Sequence, residues 1–491
     1  ISWPPTLIRR KVVRSDVKVM ESTGALRPSV LDPTMRFLSR AADHGVLWMV
    51  VAALLAMIGG RPRRAAARGL LALAGSSALA NGILKPLFPR RRPPARVWLS
   101  PKRGVDIPTS SSFPSGHSSS AAAFTAAVAM ESPVAGAALA PLAAAVAYSR
   151  VHNGVHWPSD VFAGLAVGGA IAAGTRRWWA VRDEEPAELG PECVVPALPR
   201  GEGLLVFTNP GSGSEDDGIV ESIRELLPAA IVYEFDADID FDMQIDAKIP
   251  ELSPKALGVC GGDGTVVTVA TAATKHELPL AVFPGGTLNH FARDVGAVNV
   301  EETAQAVESG QAAFVDHAVV RTDSGVTARF LNTASLGGYP DAVRLREKWE
   351  PRFGKWPAAG AAMIRVLAAA EPMTVTIDEK RTTIWMLFVG NGRYSPADQV
   401  PMSRPEMNRG LLDVRYLRAD KKFSRSRLLF AAATGTLGSS RVYVRELVSS
   451  MSVRVADSPV AIATDGEVVA DARRFDFDTE PGAVAVYRVT Q

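Results

Sequence analysis

Only two cysteines, Cys193 and Cys260, occur in the 491 residues, and they lie far apart. That excludes a disulfide framework and a cysteine-built zinc site. Charged residues make up 21% of the chain and hydrophobic residues 47%, a balance that excludes disorder over most of its length. Neither GxxxxGK[ST] nor GxGxxG occurs, so neither a P-loop nor a Rossmann dinucleotide site is expected. Residues 1–30 are charged but have no apolar segment behind the charges, so no signal peptide is read there. Residues 1–35 are expected to be a poorly ordered extension. Histidine is scarce at seven, yet His117, His152 and His156 fall within one 40-residue window. A rare titratable residue that clusters points to chemistry.

The formal net charge is only +3, but it is unevenly spread. Of 54 Lys/Arg and 51 Asp/Glu, residues 1–105 hold 19 and 4, leaving 35 and 47 for the rest. Apolar runs lie at 46–60, 69–84, 118–130, 134–148 and 161–174. Each is shorter than the ~20 residues that span a bilayer, although helical flanks can extend it. Five Ala-rich runs within 130 residues predict a transmembrane helical bundle packed through small side chains over 36–181. Residues 182–202 carry prolines, glycines and a charge run, and read as a linker. From 203 the pattern becomes strand, glycine turn, helix, three times over, which predicts an α/β lobe over 203–311. Residues 312–491 read mainly as strands, a second lobe of antiparallel β structure. The expected fold class is therefore multidomain: an all-α membrane bundle, then an α/β lobe, then a β lobe.

Three segments at the ends of the apolar runs carry unusual chemistry. They are Lys85 with Arg92-Pro93, Pro114-Ser115-Gly116-His117, and Ser149-Arg150 with His156 and Asp160. Lys85, Arg92 and Arg150 supply positive charge suited to a phosphoryl group. Ser115 and Gly116 open a helix whose backbone N–H groups would face an anion. Of two histidines, one can attack phosphorus while the other protonates the leaving oxygen. On a helix, the four-residue step from His156 to Asp160 would put both on one face. The pattern KX6RP, PSGH, SRX5HX3D resembles the type 2 phosphatidic acid phosphatase family. The resemblance implies that His156 is the nucleophile forming a phosphohistidine, oriented by Asp160, and that His117 is the general acid. It further implies that Lys85, Arg92, Ser115, Gly116 and Arg150 hold the phosphate, with no metal. His152 matches no family position and reads as structural.

Three glycine-rich turns follow strands in the rear half: Asn209-Pro210-Gly211-Ser212-Gly213, Gly261-Gly262-Asp263-Gly264-Thr265, and Pro284-Gly285-Gly286-Thr287-Leu288-Asn289. Glycines let backbone amides approach phosphates, and a following helix N-terminus favours negative charge. The set resembles the diacylglycerol kinase catalytic domain, shared with sphingosine and ceramide kinases. That resemblance implies a β-sandwich second lobe whose chain end returns to the first lobe. It implies ATP phosphates on Gly262, Asp263, Gly264 and Thr265, with Asn209 and Thr287 nearby. Glu467, in Asp465-Gly466-Glu467, would be the general base. Mg²⁺ is expected with ATP for this half only. The chain departs from the family at His290, where an Asp is usual, and at Arg409, where a carboxylate helps hold a structural Mg²⁺.

ATP is cytosolic, so the rear half is expected in the cytoplasm of a bacterial cell. One crossing would then put the phosphatase site on the extracytoplasmic side of a multi-pass membrane protein. Arg61, Arg63, Arg64 and Arg68 would be inside, as the positive-inside rule prefers. The expectation is a bifunctional lipid enzyme acting on lipids of the phosphatidic acid, diacylglycerol or polyprenyl phosphate class, with no nucleic-acid partner. The alternative is a lipid kinase whose helical half is only an anchor or lipid-presenting module.

Overall fold

The computed structural model describes residues 6–25, 31–94, 109–177, 179–181, 186–209, 216–236, 238–286, 289–337, 371–399, 401 and 403–489. The chain divides into two compact units, Ile1–Arg182 and Asp183–Gln491.

Helices α1 (Thr6–Gly24), α2 (Leu31–Ala41), α3 (Val46–Ile58), α4 (Gly60–Ser77), α5 (Gly116–Glu131), α6 (Pro133–His152) and α7 (Pro158–Thr175) build the first unit. Pro133 and Pro158 start α6 and α7, where a missing N–H costs nothing. Ser115 caps α5 through its side chain. The α4 helix continues as a wider π turn over Ala78–Leu84 and ends at Leu87. Gly60–Leu87 and Pro133–His152 are long and apolar enough to cross a membrane. Leu31–Ala41 with Asp43–Ile58 passes the same test as a pair bent by 62°. Small residues bring the helices together: a Cβ at Gly164 or Gly168 of α7 would collide with the carbonyls of Ser115 and Ser119. Trp48 and Phe124 fill the core between α3, α4 and α5, their ring centroids 5.3 Å apart.

One expectation for this unit needs correcting. The supposed poorly ordered extension contains α1, whose Asp16 and Met20 are buried against the bundle. Its polar spacing hid an inward face supplied by only a few residues. Arg68, one of the four arginines expected on the inner side, has its charge satisfied within the bundle. It is fully buried, donating to Glu131 Oε1 at 2.7 Å, Thr175 Oγ1 at 3.1 Å and the carbonyls of Trp179 and Ala180 at 2.7 and 2.9 Å.

In the second unit the strands are β1 (Glu192–Val194), β2 (Leu204–Thr208), β3 (Ile231–Glu234), β4 (Ala256–Gly261), β5 (Leu280–Pro284), β6 (Gln311–Thr322), β7 (Thr327–Phe330), β8 (Thr333–Gly337) and β9 (Met373–Ile377). They continue with β10 (Lys380–Asn391), β11 (Arg393–Ser395), β12 (Ser403–Glu406), β13 (Leu412–Arg418), β14 (Tyr443–Val448), β15 (Ser450–Val455), β16 (Val460–Thr464), β17 (Glu467–Ala472) and β18 (Arg474–Tyr487). Among the described residues the helices are α8 (Asp216–Leu226), α9 (Phe241–Leu252), α10 (Asp263–Lys275), α11 (His290–Asp294), α12 (Val300–Ser309) and α13 (Ser424–Thr434). Strands β3, β2, β4 and β5 are parallel neighbours, with the helices between them. The remaining pairings are mainly antiparallel.

The C-terminal β18 pairs parallel with β5, at Val486 and Leu280, and antiparallel with β6. One core therefore contains Leu205, Val259 and Val282 together with Val315, Leu331 and Val484. One further correction follows. The segment read as a linker packs on this unit: β1 pairs with β6, and Ala187 and Leu189 are buried. The mainly-strand reading after residue 312 did not single out α13, whose outward face mixes aromatic and basic residues and gives no apolar period.

Candidate active sites

In the first unit, His156 lies in the turn between α6 and α7, not on a helix. The expected helical face shared with Asp160 does not exist, because Asp160 sits in the first turn of α7 while His156 precedes it. The two are nevertheless close, Nδ1 to Oδ2 at 3.7 Å, and both are buried. The imidazole Nδ1 lies 2.7 Å from the Ser112 carbonyl oxygen, which can only accept, so Nδ1 carries the proton. Nε2 is then the bare nitrogen, and Arg92 Nη1 approaches it at 3.2 Å. Burial, with Arg150 and Arg92 adding their charge, pushes the His156 pKa down to about 4.

Asp160 acts on His156 through Ser112. The Ser112 hydroxyl donates to Asp160 Oδ2 while the carbonyl of the same residue holds the ring. Asp160 Oδ2 also accepts from the Trp157 N–H at 3.0 Å, and Oδ1 accepts from Arg90 Nη1 at 2.6 Å. Arg90 reaches Asp16 of α1 at 2.7 Å, and Asp16 accepts from the N–H and hydroxyl of Ser159. Sequence reasoning missed Arg90, Asp16 and Ser112. Arg90 was hidden inside KX6RP, while the other two lie outside every motif.

The other residues expected to hold phosphate surround this ring. Arg92 donates to the Val155 carbonyl at 2.7 Å and to Ser110. Arg150 is buried and donates to Ser39 of α2, while its Nε has no protein acceptor. A buried N–H without a partner is costly, and an anion's oxygen would satisfy it. Lys85 Nζ donates to Asn81 Oδ1 at 2.7 Å. That oxygen would lie 3.0 Å from a Cβ on Gly116, so Lys85 is held near the start of α5. Ser115 caps α5: its hydroxyl accepts from Ser118 and keeps its own proton to donate, while its N–H donates to the Asp160 carbonyl and ties α5 to α7. The first-turn N–H groups of Gly116 and His117 remain to face an anion. His117 Nε2 lies 2.7 Å from Asp43 Oδ1, at the bend between α2 and α3. Arg150 is within electrostatic reach of both His117 and His156. His152 is buried against Asp32 at 2.8 Å, a structural pair joining α6 to α2.

In the second unit, the Gly261–Thr265 turn joins β4 to α10, with Gly262 as the helix cap. Asn209, at the end of β2, donates to Thr265 Oγ1 at 3.3 Å. The turn after β5 packs directly on the first: a Cβ on Gly285 would lie 2.6 Å from Gly261 N, and one on Gly286 2.6 Å from Gly262 Cα. Only glycine permits that approach. Asp263 accepts from the Phe291 N–H at 3.2 Å. Thr287 and residues 210–215 lie outside the described residues.

Glu467 comes to this turn from the far end of the chain. A Cβ on Gly264 would lie 2.9 Å from Glu467 Oε1. Asp465 and Gly466 form the two-residue hairpin between β16 and β17, both at positive φ. The Asp465 carboxylate accepts from the N–H groups of Leu331, Asn332 and Thr333 at 2.7–2.8 Å, fixing the hairpin against β8. Asp294, at the end of α11 and four residues beyond His290, is engaged by Arg404 at 2.7 and 3.0 Å. Arg404 is buried, and it also donates to the carbonyls of Leu331 and Asn391 and to Asn332 Oδ1. No motif announced it. Arg409 pairs with Glu406 at 3.0 Å.

Profiles of two families match the chain: the PAP2 superfamily over residues 65–184 and the diacylglycerol kinase catalytic domain over residues 203–320. Decaprenylphosphoryl-5-phosphoribose phosphatase of Mycobacterium tuberculosis (strain ATCC 25618 / H37Rv) is 36% identical over 165 residues, covering 33% of this chain and 88% of that protein. A protein of Pseudomonas aeruginosa (strain UCBPP-PA14) described as "Probable lipid kinase YegS-like" is 28% identical over 237 residues, covering 46% of this chain and 74% of that protein. Among solved structures, a diacylglycerol kinase from Bacillus anthracis str. Sterne matches with a TM-score of 0.41 at 17% identity, covering 59% of this chain and 97% of that one.

Proposed function

Because the chain belongs to the PAP2 superfamily through its front part and carries a diacylglycerol kinase catalytic domain behind it, we propose that it is a bifunctional membrane lipid enzyme, a lipid phosphate phosphatase joined to an ATP-dependent lipid kinase. The observation that carries the phosphatase reading is the tautomer of His156. With Nδ1–H committed to the Ser112 carbonyl, Nε2 keeps its lone pair; it accepts from Arg92 Nη1 here and would be released for attack once Arg92 turns to a bound phosphoryl group.

A phosphomonoester would sit against Lys85, Arg92, Arg150 and the first N–H groups of α5. Nε2 of His156 forms a bond to phosphorus as the ester P–O bond breaks, and His117 gives its proton to the departing alkoxide. Water, deprotonated by the now neutral His117, then cleaves the P–N bond and releases phosphate. Every step balances without a metal. The M. tuberculosis relative is named for a prenylphosphoryl-phosphoribose substrate, so lipid-linked phosphates of that class belong in the first assays.

In the second unit, ATP phosphates would lie on the Gly262–Thr265 turn, with Asn209 and Thr287 beside it. Glu467 would take the proton from a lipid hydroxyl, diacylglycerol first among candidates, as that oxygen attacks the γ-phosphoryl group. Mg²⁺ bound with the nucleotide would neutralise charge during transfer. Asp263 is the carboxylate at the turn that would help hold it, which leaves Glu467 as the base. Two helices of spanning length, and a third if the bent pair is one span, support a membrane location. A cytoplasmic kinase site and an extracytoplasmic phosphatase site would keep the two reactions from undoing each other.

Purified full-length protein tests this reading. Release of phosphate from lipid phosphates should vanish in His156→Ala while transfer from labelled ATP to lipid persists. Glu467→Ala should do the reverse. Phosphatase activity unchanged in His156→Ala would favour the anchor reading of the helical half.

A further inference from the structure

Helix α13 and the turn before it have no part in either proposed reaction. Between Arg418 and Arg427 the sequence places five basic residues, Arg418, Lys421, Lys422, Arg425 and Arg427, against the single acid Asp420. That acid is already held by Arg418 at 2.6 and 2.9 Å and lies 3.6 Å from Lys421. The patch therefore keeps a strong positive excess.

Two phenylalanines stand out from this basic surface. Phe423 is 79% exposed and Phe430 is 69% exposed. Scattered exposed apolar residues need no explanation, but two large rings among three cations do. The helix has a distinct inner face: Ser424 and Ala431, seven positions apart, are buried, while Arg427 and Phe430 point outward. Phe423 is held outward with φ at +58°, a left-handed conformation that bulky side chains rarely adopt. An aqueous surface gains nothing from holding a ring this way.

Aromatic rings interleaved with Lys and Arg on one exposed face have the composition of an interfacial element. The rings enter the acyl boundary, and the cations meet anionic head groups. We propose that the outer face of α13 and the turn before it, with Phe423 and Phe430 as anchors and Lys421, Lys422 and Arg427 around them, docks the second unit onto an anionic lipid bilayer surface; Arg425 stacks over Trp385 at 4.6 Å and is not counted among them. Charge complementarity selects that occupant: a second copy of this chain would bring its own positive patch to the same face. Docking would hold the kinase half at the interface where a lipid hydroxyl is presented.

The test uses full-length protein in lipid nanodiscs, with an environment-sensitive fluorophore on Ser426→Cys. Cys193→Ser removes the half-exposed native thiol, and Cys260 is buried. In phosphatidylglycerol-rich discs the probe should shift to shorter wavelength and be quenched by lipids spin-labelled near the head group. The double variant Lys422→Glu/Arg427→Glu, or discs of phosphatidylcholine alone, should reduce that quenching by about tenfold. Phe423→Ser/Phe430→Ser should abolish the shift while leaving the fold, followed by circular dichroism, unchanged. A probe that stays water-exposed in anionic discs overturns the proposal. So does equal shielding in detergent without lipid, which would mean that protein covers the face. The readout needs no ATP turnover, so it is independent of the kinase reading.

Discussion

Asp43 Oδ1 lies 2.7 Å from Nε2 of His117, across the bend that separates α2 from α3. Asp43 belongs to no sequence motif. Yet the contact gives His117 an anionic partner in a site crowded with Lys85, Arg92 and Arg150. Burial, with Arg150 and Lys85, holds the His117 pKa below its ordinary value, and Asp43 opposes that shift, favouring the protonated ring that a leaving group needs.

Asp43→Asn should therefore lower turnover of alkyl lipid phosphates by about 100-fold, the usual scale for a general acid. Turnover of p-nitrophenyl phosphate, whose leaving group needs no proton, should fall by less than about fivefold. Equal losses on both substrates would show that Asp43 serves folding rather than proton transfer.

The His156 pKa, held down to about 4 by burial and by the neighbouring guanidinium groups, keeps Nε2 unprotonated through the physiological range. The ring resonance in isotope-labelled protein should titrate near pH 4, not near the ordinary value of about 6.5. The folded value lies below the unfolded one, so this group's contribution to stability is complete above about pH 6.5. It is lost progressively as pH falls toward 4. Titration near 6.5 in the folded protein would show that the ring is solvated.

Arg90 joins Asp160, Ser159 and Asp16 in one buried network. Arg90→Ala would leave the fully buried Asp160 carboxylate without its cation. Such a loss costs about 3 kcal/mol, to be read as a lower thermal midpoint in detergent, with phosphatase activity falling alongside. Arg91→Ala, one position away in the same basic run, should change stability by less than about 0.5 kcal/mol.

The sequence made the motif residues legible because each motif combines fixed residue types with fixed spacing, and phosphoryl chemistry constrains both. It did not reveal what steadies them. Ser112 acts on His156 through a carbonyl, which leaves no trace in residue identity. Asp16, Asp43 and Arg404 reach their sites by tertiary packing from elements without a motif. The geometry assumed for His156 and Asp160 failed for a local reason: Pro158 starts a new helix between them, so the four-residue step is a turn followed by a helix. In the rear half, alternation exposed the strands, but three-residue β1 was too short to stand out among prolines. α13 carries aromatics on its wet face, the reverse of the usual amphipathic pattern.

Gly264→Ala should silence the kinase half alone. Its new methyl would displace the Glu467 carboxylate, which lies 2.9 Å from where a Cβ would be placed. That carboxylate is the movable tip of a side chain, so the fold should survive. We expect at least about a 100-fold loss of phosphate transfer from ATP to lipid, with lipid phosphatase activity unaltered. Retained transfer would remove Glu467 from the reaction.

The central claim is covalent, and trapping the intermediate tests it most directly. Full-length protein mixed with ³²P-labelled lipid phosphate and quenched in alkali within the first turnover should carry label on the peptide containing His156. That label should be stable to base, labile to acid, absent from His156→Ala and accumulated in His117→Ala with an activated ester. A phosphatase that turns over its lipid while never acquiring base-stable label, or that is labelled equally after His156→Ala, would contradict the account.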